Sequence, residues 1–186
     1  SGALLNVDFY PVNNVGHRIS ERAPKTKPSS EEQKKYNENR AVTRLIQLVN
    51  ANMSREDYFC HFTFRPDNMP KDEDDAMRII NNYFRRVNYY RKKRGMKPVL
   101  HIGVLEGKAY RSGRYAGLIN YHYHFFIQSK GMNADEYESI WKDGDVVRID
   151  HYRPNIFGYE AAAKYISKDP MGKKRWFYSK GLKQPK

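Results

Sequence analysis

The chain has 186 residues, enough to bury a sizeable core within one domain. Its 34 Lys and Arg against 21 Asp and Glu leave a formal charge of +13 and a pI near 9.7, which points to a polyanionic partner, nucleic acid first. The single cysteine, Cys60, excludes an intrachain disulfide and agrees with a reducing compartment. There is no long apolar span and no basic amphipathic helix free of competing acids, so a membrane partner is not expected.

Residues 1–30 are irregular, with a short strand at best over Leu4 to Phe9 and breaks at Pro11, Gly16, Pro24 and Pro28. They read as an arm laid on a domain that spans 31–186. Ser29 or Ser30 caps a helix with Glu31 and Glu32 in its first turn, and Ala41, Leu45, Leu48 and Val49 recur at helical spacing to about Asn52. Arg40 and Arg44 read as its solvated basic face. Tyr58 to Phe64 is a strand ended by Pro66. Residues 71–94 form a long helix whose acidic start (Asp72 to Asp75) and basic finish (Arg91 to Arg94, before Gly95) complement the helix dipole. That basic cluster is open to two readings, helix stability and DNA contact.

Pro98 to Glu106 is a third strand, joined by the loop 107–117 to an apolar, aromatic strand over 118–128 that carries His122 and His124. Asn133 caps a short helix, Ala134 to Trp141, and Asp143-Gly144 turns into a strand over 145–150. Residues 155–168 read as an Ala-rich helix. Residues 171–186 carry six Lys or Arg, no acid, and the aromatics Trp176, Phe177 and Tyr178. The element order gives an α+β domain with helices mainly on one side of a mainly antiparallel sheet. No phosphate-binding Gly-x-x-x-x-Gly-Lys-[Ser/Thr] loop is present, so no ATPase is encoded.

Strand alternation puts His122 and His124 on one face and Tyr123 on the other. Two neutral imidazoles side by side are half of a transition-metal site, or else a histidine pair on a polar face. Glu106 offers a third donor, and alternation sets it on the face opposite His101, the weaker candidate. A His/His/carboxylate set leaves coordination positions open and suits Mn²⁺ or Mg²⁺ holding a substrate oxygen.

A nucleophile is offered by Tyr165, with Lys168 three residues on along the same helix face. A nearby cation favours the phenolate. The alternative packs Tyr165 and Ile166 in the core and leaves Lys168 in solvent. Tyr159 lies roughly 240° around the helix from Tyr165, so both cannot face one metal. In the tail, Lys173, Lys174, Arg175 and Lys180 can neutralise phosphates, and Trp176 or its aromatic neighbours can stack on unpaired bases. The alternative is a solvated terminus with its aromatics folded on the core.

His122-Tyr123-His124 together with Tyr165-x-x-Lys168 resembles the HUH endonucleases, most closely the single-tyrosine replication initiators of rolling-circle plasmids and phages. Phe62-Thr63-Phe64 is similar to their first motif, and Val104-Leu105-Glu106 matches the position of their third ligand. Ser179-Lys180-Gly181-Leu182-x-x-Pro185 is similar to the segment that follows their tyrosine helix, so the resemblance runs from about residue 57 to 186.

The resemblance implies a ferredoxin-like or RRM-like α+β domain with a central antiparallel sheet of about five strands. It implies Mn²⁺ or Mg²⁺ held by His122, His124 and Glu106, attack by Tyr165 on a phosphate of single-stranded or origin-hairpin DNA, and a 5′-phosphotyrosine link with a free 3′-OH. Lys168 would assist. A host helicase and DNA polymerase, in a bacterial cytoplasm, would complete replication. Where some phage members carry a second tyrosine, this chain has Ala161. A one-tyrosine transposase or relaxase would use the same motifs. A non-catalytic RRM-like module would instead present Tyr58, Phe62 and Phe64 to bases.

Overall fold

The computed structural model describes residues 29–144, 147–154, 158–166 and 176–185. Among these, in chain order, are α1 (Glu31–Asn52), β1 (Tyr58–Thr63), α2 (Glu73–Lys93), β2 (His101–Ala109), β3 (Ile119–Ile127), α3 (Ala134–Ile140), β4 (Val147–His151), α4 (Glu160–Ile166) and β5 (Phe177–Tyr178). The arm, residues 1–28, lies outside the described residues.

Helix starts follow local chemistry. The Ser30 side chain accepts from the Gln33 amide, and Asp72 accepts from the Asp75 amide. Asn133 and Glu136 form a reciprocal capping box. Gly95, at φ 69°, ends α2 in the left-handed conformation that lacks a steric penalty only for glycine.

The strands form one antiparallel sheet in the order β4-β1-β3-β2-β5. β1 and β2 therefore run parallel with β3 between them, and β3 and β4 run parallel with β1 between them. That is the double split-βαβ arrangement of a ferredoxin-like domain, with β5 added beside β2. The expected α+β sheet of five strands is present.

The helices depart from the expectation of one covered side. α2 and α3 pack on the face made by Cys60, Phe62, Leu105, Tyr123 and Phe125. α1 and α4 pack on the other, against Ile102, Val104 and Phe126. The physical reason is that every residue of β3 from Tyr123 to Ile127 is buried, so both faces of the central strand need cover.

In the described part of the tail, residues 176–185, an aromatic is folded on the core, as the second reading of the tail expects, and the backbone is held there as well. Phe177 is buried against Phe84 and Phe125, the Ser179 amide donates to the His101 carbonyl at 3.0 Å, and the Lys183 backbone exchanges two hydrogen bonds with the Asn52 amide side chain. No described helix is long and apolar enough to cross a membrane.

Candidate functional site

The site lies on the sheet face shared with α1 and α4, where three central strands contribute in register. Thr63, His122 and Glu106 face one another across β1, β3 and β2, and in the next same-face row so do Arg148, His61, His124 and Val104. Glu106 Oε2 sits 3.1 Å from His122 Nε2 and 3.5 Å from His124 Nε2. One nitrogen each from His61, His122 and His124 falls within 4.8 Å of the others. The sheet thus brings together all three expected ligands, His122, His124 and Glu106. His101 lies on the opposite face, stacked on Phe84 at 3.4 Å.

The donor set fits a metal ion on three observations. His122 Nδ1 lies 3.2 Å from the Asn120 carbonyl oxygen, which can only accept, so this contact puts the proton on Nδ1. Nε2 of the same ring then faces the Glu106 carboxylate at 3.1 Å, a pair that a shared cation would bridge. His124 is buried, and neither ring nitrogen has a hydrogen-bond partner among the described residues, although Nε2 lies near Glu106. Burial first, then the neighbouring His61 and His122, pushes its pKa down to about 3, so it is a neutral imidazole. Burial likewise lowers the pKa of His61, helped by His122 and Arg148.

α4 supplies the candidate nucleophile. Ala162 and Ala163 are buried against the sheet, and their small side chains let the helix approach it closely. The Tyr165 ring meets His124 edge to face, with centroids 5.4 Å apart at 87°, and the residue is 60% exposed. The core-packed alternative for Tyr165 is not what is seen. Tyr159 takes that role: it is buried on Phe126 and Tyr152, and burial holds its phenol up at about 12. Lys168, Lys173, Lys174 and Arg175 lie outside the described residues. Lys180 is exposed, and Trp176 is half-buried against the α1 and α4 core.

Tyr58, Phe62 and Phe64, the aromatics that a base-displaying sheet would present, are buried under α2 and α3. Arg91 does not form part of a DNA surface either. It is buried, donating to the Lys97 and Lys130 carbonyls at 2.8 Å each, while Arg94 pairs with Glu136.

Three site residues escaped the sequence reading. His61 stacks on His124 at 4.4 Å and 16°; its signal was its odd-numbered place in the β1 strand, which becomes useful only once the β1–β3 register is known. Arg148 is exposed beside His61, directly across the β4–β1 pairing. Lys108, exposed two residues beyond Glu106, shares its face by strand alternation. Comparison with protein families, with curated proteins and with solved structures finds no match for this chain.

Proposed function

We propose that the domain is a metal-dependent, tyrosine-type endonuclease and strand transferase for single-stranded DNA, acting to start rolling-circle replication. The observation that carries this reading is Tyr165, solvent-accessible and edge-on to His124, above a cluster of imidazoles and one carboxylate. His122, His124 and Glu106 would hold a divalent ion, with His61 beside them. When bound, the ion supplies Lewis-acid polarisation of a phosphate oxygen. Mn²⁺ suits this nitrogen-rich set better than Mg²⁺, which favours oxygen ligands.

In this reading the Tyr165 phenolic oxygen bonds to phosphorus, and the bond from phosphorus to the 3′ oxygen breaks. The phenolic proton is given up on attack, and the departing 3′ oxygen takes one up. The products are a 5′-phosphotyrosine and a free 3′-OH able to prime a polymerase behind a host helicase. Reversal joins strands with no nucleotide cofactor, because the phosphodiester energy stays in the tyrosyl link. Lys168 would steady the phenolate or the charge at phosphorus, and Arg148 and Lys108 supply cationic surface beside the cluster for the phosphate backbone. A one-tyrosine transposase or relaxase would perform the same chemistry, and a replication assay in cells separates these outcomes.

The test is a covalent adduct on a denaturing gel, formed from labelled single-stranded DNA in Mn²⁺. Wild type is expected to form it, and Tyr165→Phe is expected not to. An adduct that survives in Tyr165→Phe assigns the nucleophile elsewhere. Absence of any adduct with cognate origin strands ends the nickase reading.

A further inference from the structure

We infer that the groove between α1 and Trp176 binds unpaired DNA bases and the phosphates between them. This rests on single-stranded DNA being the substrate and gives the strand a second point of hold beyond the histidine cluster. α1 buries only Leu45, Ile46, Leu48 and Val49, all in its second half, while residues 31–40 are exposed throughout. Along it, Tyr36, Arg40, Thr43 and Gln47 recur at i, i+4, i+7 and i+11, so they form one stripe, with Arg44 alongside.

With Trp176 these residues line a groove of about 730 Å³, within the roughly 300–1,000 Å³ usual for ligand sites. Among the described residues, no Asp or Glu lines it. An ordinary solvated helix face mixes both signs of charge, as the first turns of α1 do with Glu31 and Lys34; this stripe carries only cations, amides, a hydroxyl and aromatic rings.

Each group is placed for nucleotide chemistry. The Tyr36 ring is 53% exposed, with the Arg40 guanidinium 5.8 Å from its centre. Arg44 Nη2 donates to Gln184 Oε1 at 2.6 Å, which orients the guanidinium at the groove wall. Trp176 packs one side against the α1 and α4 core and leaves the rest accessible, so it is a braced stacking platform. Two guanidiniums match phosphates, and two aromatic rings match base faces that are free only in an unpaired strand. α1 packs against α4, the helix that carries Tyr165, so groove and histidine cluster share one side of the sheet.

The experiment titrates the whole protein, in EDTA so that no cleavage occurs, with oligo(dT) of about 15 nucleotides, near the upper end of site sizes for single-strand binders. Two readouts are taken: anisotropy of labelled oligonucleotide, and emission of Trp176 in a Trp141→Phe background, where it is the sole tryptophan. The expected result is quenching of Trp176 and a loss of affinity of about fivefold or more in either Tyr36→Ala or Trp176→Ala. Arg40→Gln with Arg44→Gln should lower the salt slope by about 1.4, roughly 0.7 for each phosphate contact. The anisotropy series uses an otherwise wild-type chain, so it stands if Trp141→Phe folds poorly.

Groove variants that bind as wild type does, or that weaken duplex DNA as much as oligo(dT), overturn the inference. A Tyr165 adduct with normal binding in the groove variants overturns the groove alone. Quenching and loss of affinity without any adduct overturn the nickase reading alone.

Discussion

At the scale of single residues, His61 decides how many nitrogen donors surround Glu106. With His122 and His124 alone the set is two imidazoles and a carboxylate; with His61 it is three, which moves preference towards metals that favour nitrogen. Calorimetric titration with Mn²⁺ is expected to show His124→Gln without measurable binding and His61→Gln weakened by at least about tenfold, the low end of what losing even an outer-shell partner costs. Unchanged affinity in His61→Gln would reduce that ring to a stacking partner of His124. Arg91 makes the opposite point about basic residues. Its two bonds to carbonyl oxygens come from a charged, buried donor, so Arg91→Ala should cost about 2–4 kcal/mol in urea unfolding. Affinity for oligo(dT) should stay that of wild type, because the guanidinium faces inward.

At the scale of elements, the site depends on how closely β2 lies against β3, since that pairing sets Glu106 against His122. Gly103 permits the approach. A Cβ there would lie 2.2 Å from Phe125 Cβ and 2.5 Å from the His124 carbonyl oxygen. Gly103→Ala should therefore destabilise the fold by about 3 kcal/mol, read by chemical denaturation, and weaken Mn²⁺ binding by moving His124. A variant with wild-type stability would mean that the two strands part without cost.

Much of this level was legible in the sequence. The helix starts near Ser30, Asp72 and Asn133, the strand that begins at Tyr58 and the shared face of His122 and His124 all follow from local pattern. What was not legible depends on partners far along the chain. β5 is two residues long and exists because β2 offers an edge to it, and the packing of α1 and α4 on the second face follows from how fully β3 is buried. His61 carries no local motif and joins the site only through the β1–β3 register.

At the scale of the whole molecule, buried histidines and partnered carboxylates set how stability responds to pH in different windows. His101 has an ordinary value of 6.5, and burial between Phe84 and β5 pushes it down to about 3 in the folded chain. Below pH 6.5 the unfolded chain takes up a proton that the folded chain refuses until the pH nears 3, so stability falls as the pH drops through that interval. At a slope of about 1.4 kcal/mol per pH unit, one such histidine costs about 2 kcal/mol at pH 5. The surface carboxylates Asp75 and Glu136 work in a lower window. Arg78 beside Asp75 lowers its pKa, as do the Asn133 amide and Tyr90 for Glu136, so their support fades only as the pH falls below the ordinary carboxylate range. Unfolding in urea at pH 7 and pH 5, with EDTA present to remove metal linkage, therefore isolates the histidines. His101→Phe keeps the stack on Phe84 without a titrating group, and it should recover about 2 kcal/mol of the wild-type loss between those two values. If wild type and His101→Phe lose the same stability, His101 is protonated in the folded chain, and the acid sensitivity belongs to His61 and His124 at the site.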